Sequence, residues 1–222
     1  MKLLGILIFL FSIQLVNAQK PPSAEELWAT WENDTVPPVK RVRALSNFIW
    51  NNILFRNPDS AYVLAEIEYQ YAVENNLNEF RANALNMKAM TKQLQFKFEE
   101  SLSLLEESYK IYEKEGLSKQ ALLVKANTAH QFSMTNDYPK ALELFNEVFD
   151  SARITKDARA LKSVFTGITN IHQSRGNYAE AALFLEKQLA EYSDYMDASQ
   201  NLTLISTLSE NYSLRGNYRK SI

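Results

Sequence analysis

Two histidines, His130 and His172, are the side chains in this sequence best suited to moving protons or binding a metal. His172 shares a phase with Phe132 and Tyr212, each forty residues away, so it reads as a packing imidazole. His130 is placed toward an open face, but no His, Asp or Glu recurs beside it, and neither histidine belongs to an H-E-x-x-H pattern. Adjacent carboxylates occur at Glu99-Glu100 and Glu106-Glu107. On a helix, neighbours point about 100° apart and cannot share one pocket, so these pairs read as a solvated face. There is no G-x-S-x-G elbow, and five glycines leave little room for a phosphate loop. With no cysteine, disulfides, thiol catalysis and thiolate metal sites are excluded. The expectation is a non-enzymatic chain without catalytic residues, cofactor or metal.

The 222 residues are 46% hydrophobic and 23% charged, with a net charge of -2. That is the composition of a globular protein without a field that would draw a polyanion, so nucleic acid is not an expected partner. Residues 1–18 stand apart: Lys2 precedes an apolar run from Leu3 to Val16, and Asn17-Ala18 offers a cleavage point before Gln19. Fourteen residues fall short of the roughly 20 that span a bilayer, so the segment reads as a signal peptide. Export to the periplasm, cell surface or medium follows as an expectation, with no membrane insertion in the mature part.

What must position the remaining side chains emerges when the chain is laid against itself. Phe98, Tyr138, Tyr178 and Tyr218 are spaced by forty, and one step back lies Pro58. Three residues after each mark comes a small side chain: Ala61, Ser101, Ala141, Ala181 and Ser221. Small residues at one phase allow helices to approach closely. Leu64, Leu104, Leu144 and Phe184 form an apolar column, and Tyr69, Tyr109, Phe149 and Leu189 another. In the preceding helices Leu45, Leu85, Phe165 and Ile205 share a phase that Lys125 breaks, with Val124 beside it available instead, and Ala89, Ala129, Thr169 and Ser209 share a small one, with Ile49 as the exception. This is the pattern of an all-α, right-handed α-solenoid of antiparallel helix pairs.

Helix limits follow from local chemistry. First helices are expected over 39–55, 79–95, 119–135, 158–175 and 199–215, second helices over 59–74, 99–115, 139–155 and 179–195. Gly116, Gly176 and Gly216 lie just past helix ends, where a left-handed backbone is cheapest without a Cβ. Residues 19–37 form an N-terminal capping segment: Ser23 and Glu26 make a capping box for a short helix carrying Trp28 and Trp31, which should cover the first pair. The repeat domain spans 38–222, its last repeat incomplete.

These units resemble tetratricopeptide repeats (TPRs): Ala129, Phe132, Tyr138, Ala141 and Phe145 fill the family's small, aromatic, tyrosine, small and bulky positions in order, as do Ser209, Tyr212, Tyr218 and Ser221. The forty-residue length exceeds the family's usual 34. The resemblance implies a TPR-like superhelix whose first helices line a concave face for partners. Carried over, the family's groove positions fall on Asn86, Met90, Ala126, Asn127, His130, Thr166, Asn170, Gln173, Ser206 and Glu210. Such a face would be neutral and rich in amides, suited to the backbone of an extended peptide; no Lys or Arg occupies these positions to make a basic clamp. The expected function is an exported scaffold that holds a peptide or protein segment. The alternative is an N-terminal extracytoplasmic sensor fragment of a histidine kinase, nucleotide cyclase or helix-turn-helix regulator, fused to a downstream transmembrane signalling module, because Ser221-Ile222 falls a few residues into a second helix.

Overall fold

The computed structural model describes residues 21–214 and 216. The expected signal peptide and the last small position, Ser221, lie outside the described residues. A short helix α1 (Ala24–Glu32) leads into α2 (Pro38–Phe48), which ends in a π-helical turn (Ile49–Ile53). There follow α3 (Pro58–Glu74), α4 (Asn78–Leu94), α5 (Phe98–Lys114), α6 (Ser118–Met134), α7 (Tyr138–Thr155), α8 (Ala158–Ser174), α9 (Tyr178–Tyr192) with a 3-10 turn (Ser193–Tyr195), and α10 (Ala198–Leu214). From α3 to α10 each helix starts 20 residues after the one before. The forty-residue repeat is therefore two equal half-units, a regularity the sequence columns did not separate.

The half-unit is set by one turn chemistry used repeatedly. Asn76, Phe96, Gly116, Asn136, Lys156 and Gly176 all have φ between 51° and 73°. In each turn the following N-H returns to a carbonyl five residues back: Leu77 to Ala72, Lys97 to Lys92, Leu117 to Tyr112, Asp137 to Phe132, Asp157 to Ala152 and Asn177 to His172, at 2.8–2.9 Å. These bonds satisfy helix-end carbonyls and fix the angle at which the next helix leaves. The sequence reading recognised this only where glycine marks it.

Consecutive helices pack antiparallel, and the small-residue columns sit where they touch. Ala61, Ser101, Ala141 and Ala181 are fully buried, as are Ala89, Ala129 and Thr169. The main apolar column of the second helices lies one residue beyond the expected one: Ala65, Leu105, Phe145 and Leu185 are buried, whereas Leu64, Leu104, Leu144 and Phe184 are half-buried and support the core from its edge. Val124 takes the core place that Lys125 vacates. Ile205, expected in the same column, is 51% exposed on α10. The helix of α2 does not continue regularly to Phe55. It widens at Ile49, where a fully buried β-branched side chain replaces the small residue of later repeats and Leu54 N-H bonds back to Ile49 O at 2.9 Å.

The N-terminal segment packs on the first pair. Ser23 and Glu26 form the capping box. Trp28 packs on Phe48 with ring centroids 5.0 Å apart, and Trp31 meets Tyr71 edge-on at 4.9 Å. Arg41 fastens the lid by donating from Nε to Trp31 O at 2.8 Å and pairing with Asp34 at 2.6 Å. Among the described residues no helix is long and apolar enough to cross a membrane.

Candidate functional site

The first helices of four successive pairs converge on a pocket of about 360 Å³. Helix α2 contributes Arg43, Ser46 and Asn47; α4 contributes Glu79, Phe80, Asn83 and Asn86; α6 contributes Gln120, Leu123 and Val124; and α8 contributes Arg159. Tyr112 on α5 supplies the one wall from a second helix. Helices α2, α4 and α6 each show one stripe, spaced by three or four residues as at 79, 83 and 86, so a continuous inner surface arises from equivalent places in consecutive repeats. Arg43 and Arg159 are exposed, and Arg43 lies over the Phe80 ring at 5.3 Å, which orients its guanidinium.

Beneath this surface lies a buried polar cluster. Glu68, on α3, is fully buried. Its Oε1 accepts from Ser46 Oγ at 2.6 Å and from Asn83 Nδ2 at 3.0 Å, while Oε2 has no partner. Burial pushes its carboxyl up to about 8, against the pull of those two hydrogen bonds, so it is mostly protonated at neutral pH. Burial, reinforced by Glu79 and Glu68, likewise pushes the Tyr112 phenol well up, so it stays a neutral donor. Ser46 and Asn83 thus face the pocket while held from below. A pattern violation in the sequence marks Glu68: in the phase Glu68, Ser108, Val148, Gln188, all buried, it alone is an acid.

The expected groove residues divide. Asn86 lines the pocket, and Asn127 Nδ2 donates to Asn86 Oδ1 at 2.9 Å, tying α6 to α4. Thr166 and Gln173 are half-buried and Asn170 exposed on α8, while Ser206 and Glu210 are exposed on α10; none of these five lines the pocket. Three of the expected residues pack against the core. Ala126 is fully buried in the core beside Ala129 and Phe145 and offers a partner nothing. Met90 packs against the cluster of Leu45, Ile49 and Leu54, because its flexible thioether fills the gap between the first two pairs. His130 is half-buried: its ring meets Phe145 edge-on at 5.0 Å, its Nε2 lies 3.0 Å from Ser163 Oγ, and desolvation pulls its imidazole down to about 4. It is a neutral packing group.

His172 behaves as expected of a packing imidazole, half-buried and 6.4 Å from the Phe184 ring centroid. Among the described residues no group of three or more His, Asp or Glu could hold a metal. Of the pocket residues not selected from sequence, Glu79, Asn83, Gln120 and Arg159 lie toward the N-termini of their helices from the selected positions, and the same stripe extended by one or two turns would have reached them; Arg43 lies on α2, where no position was selected. These residues add the charged side chains of Arg43, Arg159 and Glu79 to the amide groups of the selected positions.

Comparisons with known proteins agree with this architecture. The tetratricopeptide repeat family profile matches residues 80–154. Among solved structures the chain is similar to BtubC (BKLC) from P. vanneervenii, at 17% identity and TM-score 0.61, covering 90% of this chain and 82% of that one. It is also similar to the nearly identical TPR-like repeats attributed to a kinesin light chain of Podosopora anserina, at 18% identity and TM-score 0.54, covering 83% and 91%. At such identity the likeness is one of fold. No curated protein matches the chain in sequence.

Proposed function

We propose that this chain, a TPR-like solenoid with tetratricopeptide repeats over residues 80–154, is a binding scaffold that holds an extended peptide segment of a partner protein against its inner face. The observation that carries the reading is the pocket shared by α2, α4, α6 and α8, whose wall carries paired donor and acceptor groups on Asn47, Asn83, Asn86 and Gln120. A peptide backbone offers a donor and an acceptor at nearly every residue, and amide side chains match both. Arg43, Arg159 and Glu79 then discriminate by side-chain charge. The apolar leader from Leu3 to Val16 supports export, which places the partner in the periplasm, at the cell surface or in the medium.

An array of immobilised peptides tiling envelope and secreted proteins tests this. Binding should be sequence-selective and should fall about tenfold or more when Asn83 and Asn86 are both changed to Ala, with the melting temperature of the variant tracked alongside. Retention of no peptide, or equal retention by a folded variant, would sink the proposal. Cleavage at Ala18 in exported material, read by N-terminal sequencing, checks the leader separately.

A further inference from the structure

A second surface, away from the pocket, stands on different observations. The turn joining α2 to α3 and the turn joining α4 to α5 lie side by side, with Gln95 Nε2 donating to Asp59 Oδ1 across them at 2.6 Å. Both tips carry aromatic rings. Trp50 and Phe55 are 47% and 63% exposed and meet edge-on at 6.0 Å. Phe96 is 76% exposed and stands 6.2 Å from Phe98. In each tip a basic residue follows the exposed phenylalanine directly, as Phe55-Arg56 and Phe96-Lys97, and both cations are exposed. Leu94 and Met134 extend the apolar edge. The equivalent tips further along are polar, Asn136-Asp137 and Gly176-Asn177.

Phe96 also sits where the local backbone does not favour it. Its φ is +60°, in the left-handed region, where its repeat equivalents are Asn136, Gly176 and Gly216. The turn itself gains nothing from the ring: Phe96 N-H bonds to Gln93 O as Asn136 N-H bonds to Ser133 O. The core gains little from a ring that is three-quarters exposed. A bulky aromatic in strained backbone, facing solvent, is explained by a contact outside the chain.

Protruding tips suit a soft layer that receives rings from one side. We propose that the paired turns around Phe55 and Phe96 dock the chain peripherally on an anionic lipid surface. Trp50, Phe55 and Phe96 enter the boundary between head groups and acyl chains, the indole N-H remaining at head-group level. Arg56 and Lys97 reach the lipid phosphates along their alkyl stems. Nearby acids are partly engaged: Asp59 by Gln95, and Glu100 by Lys92 at 2.6 Å. Glu99 is exposed on the same edge and sets a limit on the attraction. The contact is independent of the inner face.

The test is co-sedimentation of the mature chain, starting at Gln19, with phosphatidylcholine vesicles, with and without phosphatidylserine, beside its variants. Phe96→Asn, which installs the residue of the next repeat, should weaken binding about fivefold while raising the melting temperature; Phe55→Ser with Phe96→Asn should weaken it about tenfold or more. Changing Arg56 and Lys97 to Gln should remove the preference for phosphatidylserine. The proposal is overturned if the chain does not bind the vesicles, or if Phe96→Asn binds as tightly as the parent. It is also overturned if analytical ultracentrifugation shows self-association that Phe96→Asn abolishes, because a second copy would then be what covers the rings.

Discussion

The first and third helix pairs use one register for opposite purposes. Below the pocket, α2, α3 and α4 enclose Glu68 with Ser46 and Asn83, a polar cluster with one oxygen lacking a partner. Two repeats on, the same phase holds Val148, and the neighbouring core position holds Phe145, whose ring lies so close to Gly167 that an added Cβ would fall 2.1 Å from it. Both regions also hold a titratable group in its neutral form, with opposite consequences. Glu68 is an acid raised to about 8, and His130 a base lowered to about 4. The polar region sacrifices stability to hold pocket side chains in place, and the apolar region fixes how one pair stacks on the next.

The comparison can be broken most severely at Phe145. Phe145→Ala should cost about 3–5 kcal/mol in denaturant unfolding, because it empties the space between α7 and α8. Gly167→Ala should also destabilise, through overpacking, and the double variant should recover part of the loss, since each change makes room for the other. Strict additivity of the two would show that they do not share this contact.

Next comes the alkaline limb of the pH profile. An acid whose folded value is raised favours the protonated state on folding. Stability from Glu68 is therefore full below about 4.5 and declines as pH rises toward 8, where the folded state ionises too. Glu68→Gln keeps an oxygen acceptor for Ser46 and Asn83 and removes the ionisation. It should match the parent near pH 4 and exceed it by on the order of a few kcal/mol at pH 8. A constant offset between the two curves would contradict a buried neutral acid.

His130 gives the reverse slope with a smaller effect. The unfolded imidazole takes up its proton near 6.5 and the folded one only near 4, so stability is lost as pH falls through that window. His130→Met, the residue at the equivalent place in the second repeat, should flatten the acid limb by on the order of 2 kcal/mol while losing the Ser163 contact. Urea midpoints measured between pH 4 and 7 decide this. The smallest effect is expected at Lys156, whose φ is 51°: Lys156→Gly should stabilise by roughly 0.5 kcal/mol, less whatever its ammonium gains over the Tyr195 ring at 5.2 Å. Thermal unfolding is the measurement.

Much of the fold was legible because solenoid packing is local. Ala61, Ser101, Ala141 and Ala181 could be found by spacing alone, since each helix meets its neighbours through the same phase. Leu64 and its column came out one residue off, because adjacent phases on a helix are both apolar and only the crossing geometry decides which is inside. The inner face was less legible. Asn86 and Asn127 were placed near the pocket, but Ala126 and His130 were not separable from them by pattern, since a stripe on an inner helix borders core on both sides.

The sequence by itself determined the helix pairs, their register and the Trp lid, because each depends on contacts between neighbouring segments and on turn chemistry within a few residues. Only the tertiary structure decided which side chains the inner face presents. Bringing Arg43, Glu79, Asn83, Gln120 and Arg159 to one pocket requires the accumulated rotation of four pairs, and no single repeat contains that rotation. It also decided that Glu68 is enclosed, since its hydrogen-bond partners come from two other helices, 15 and 22 residues away along the chain.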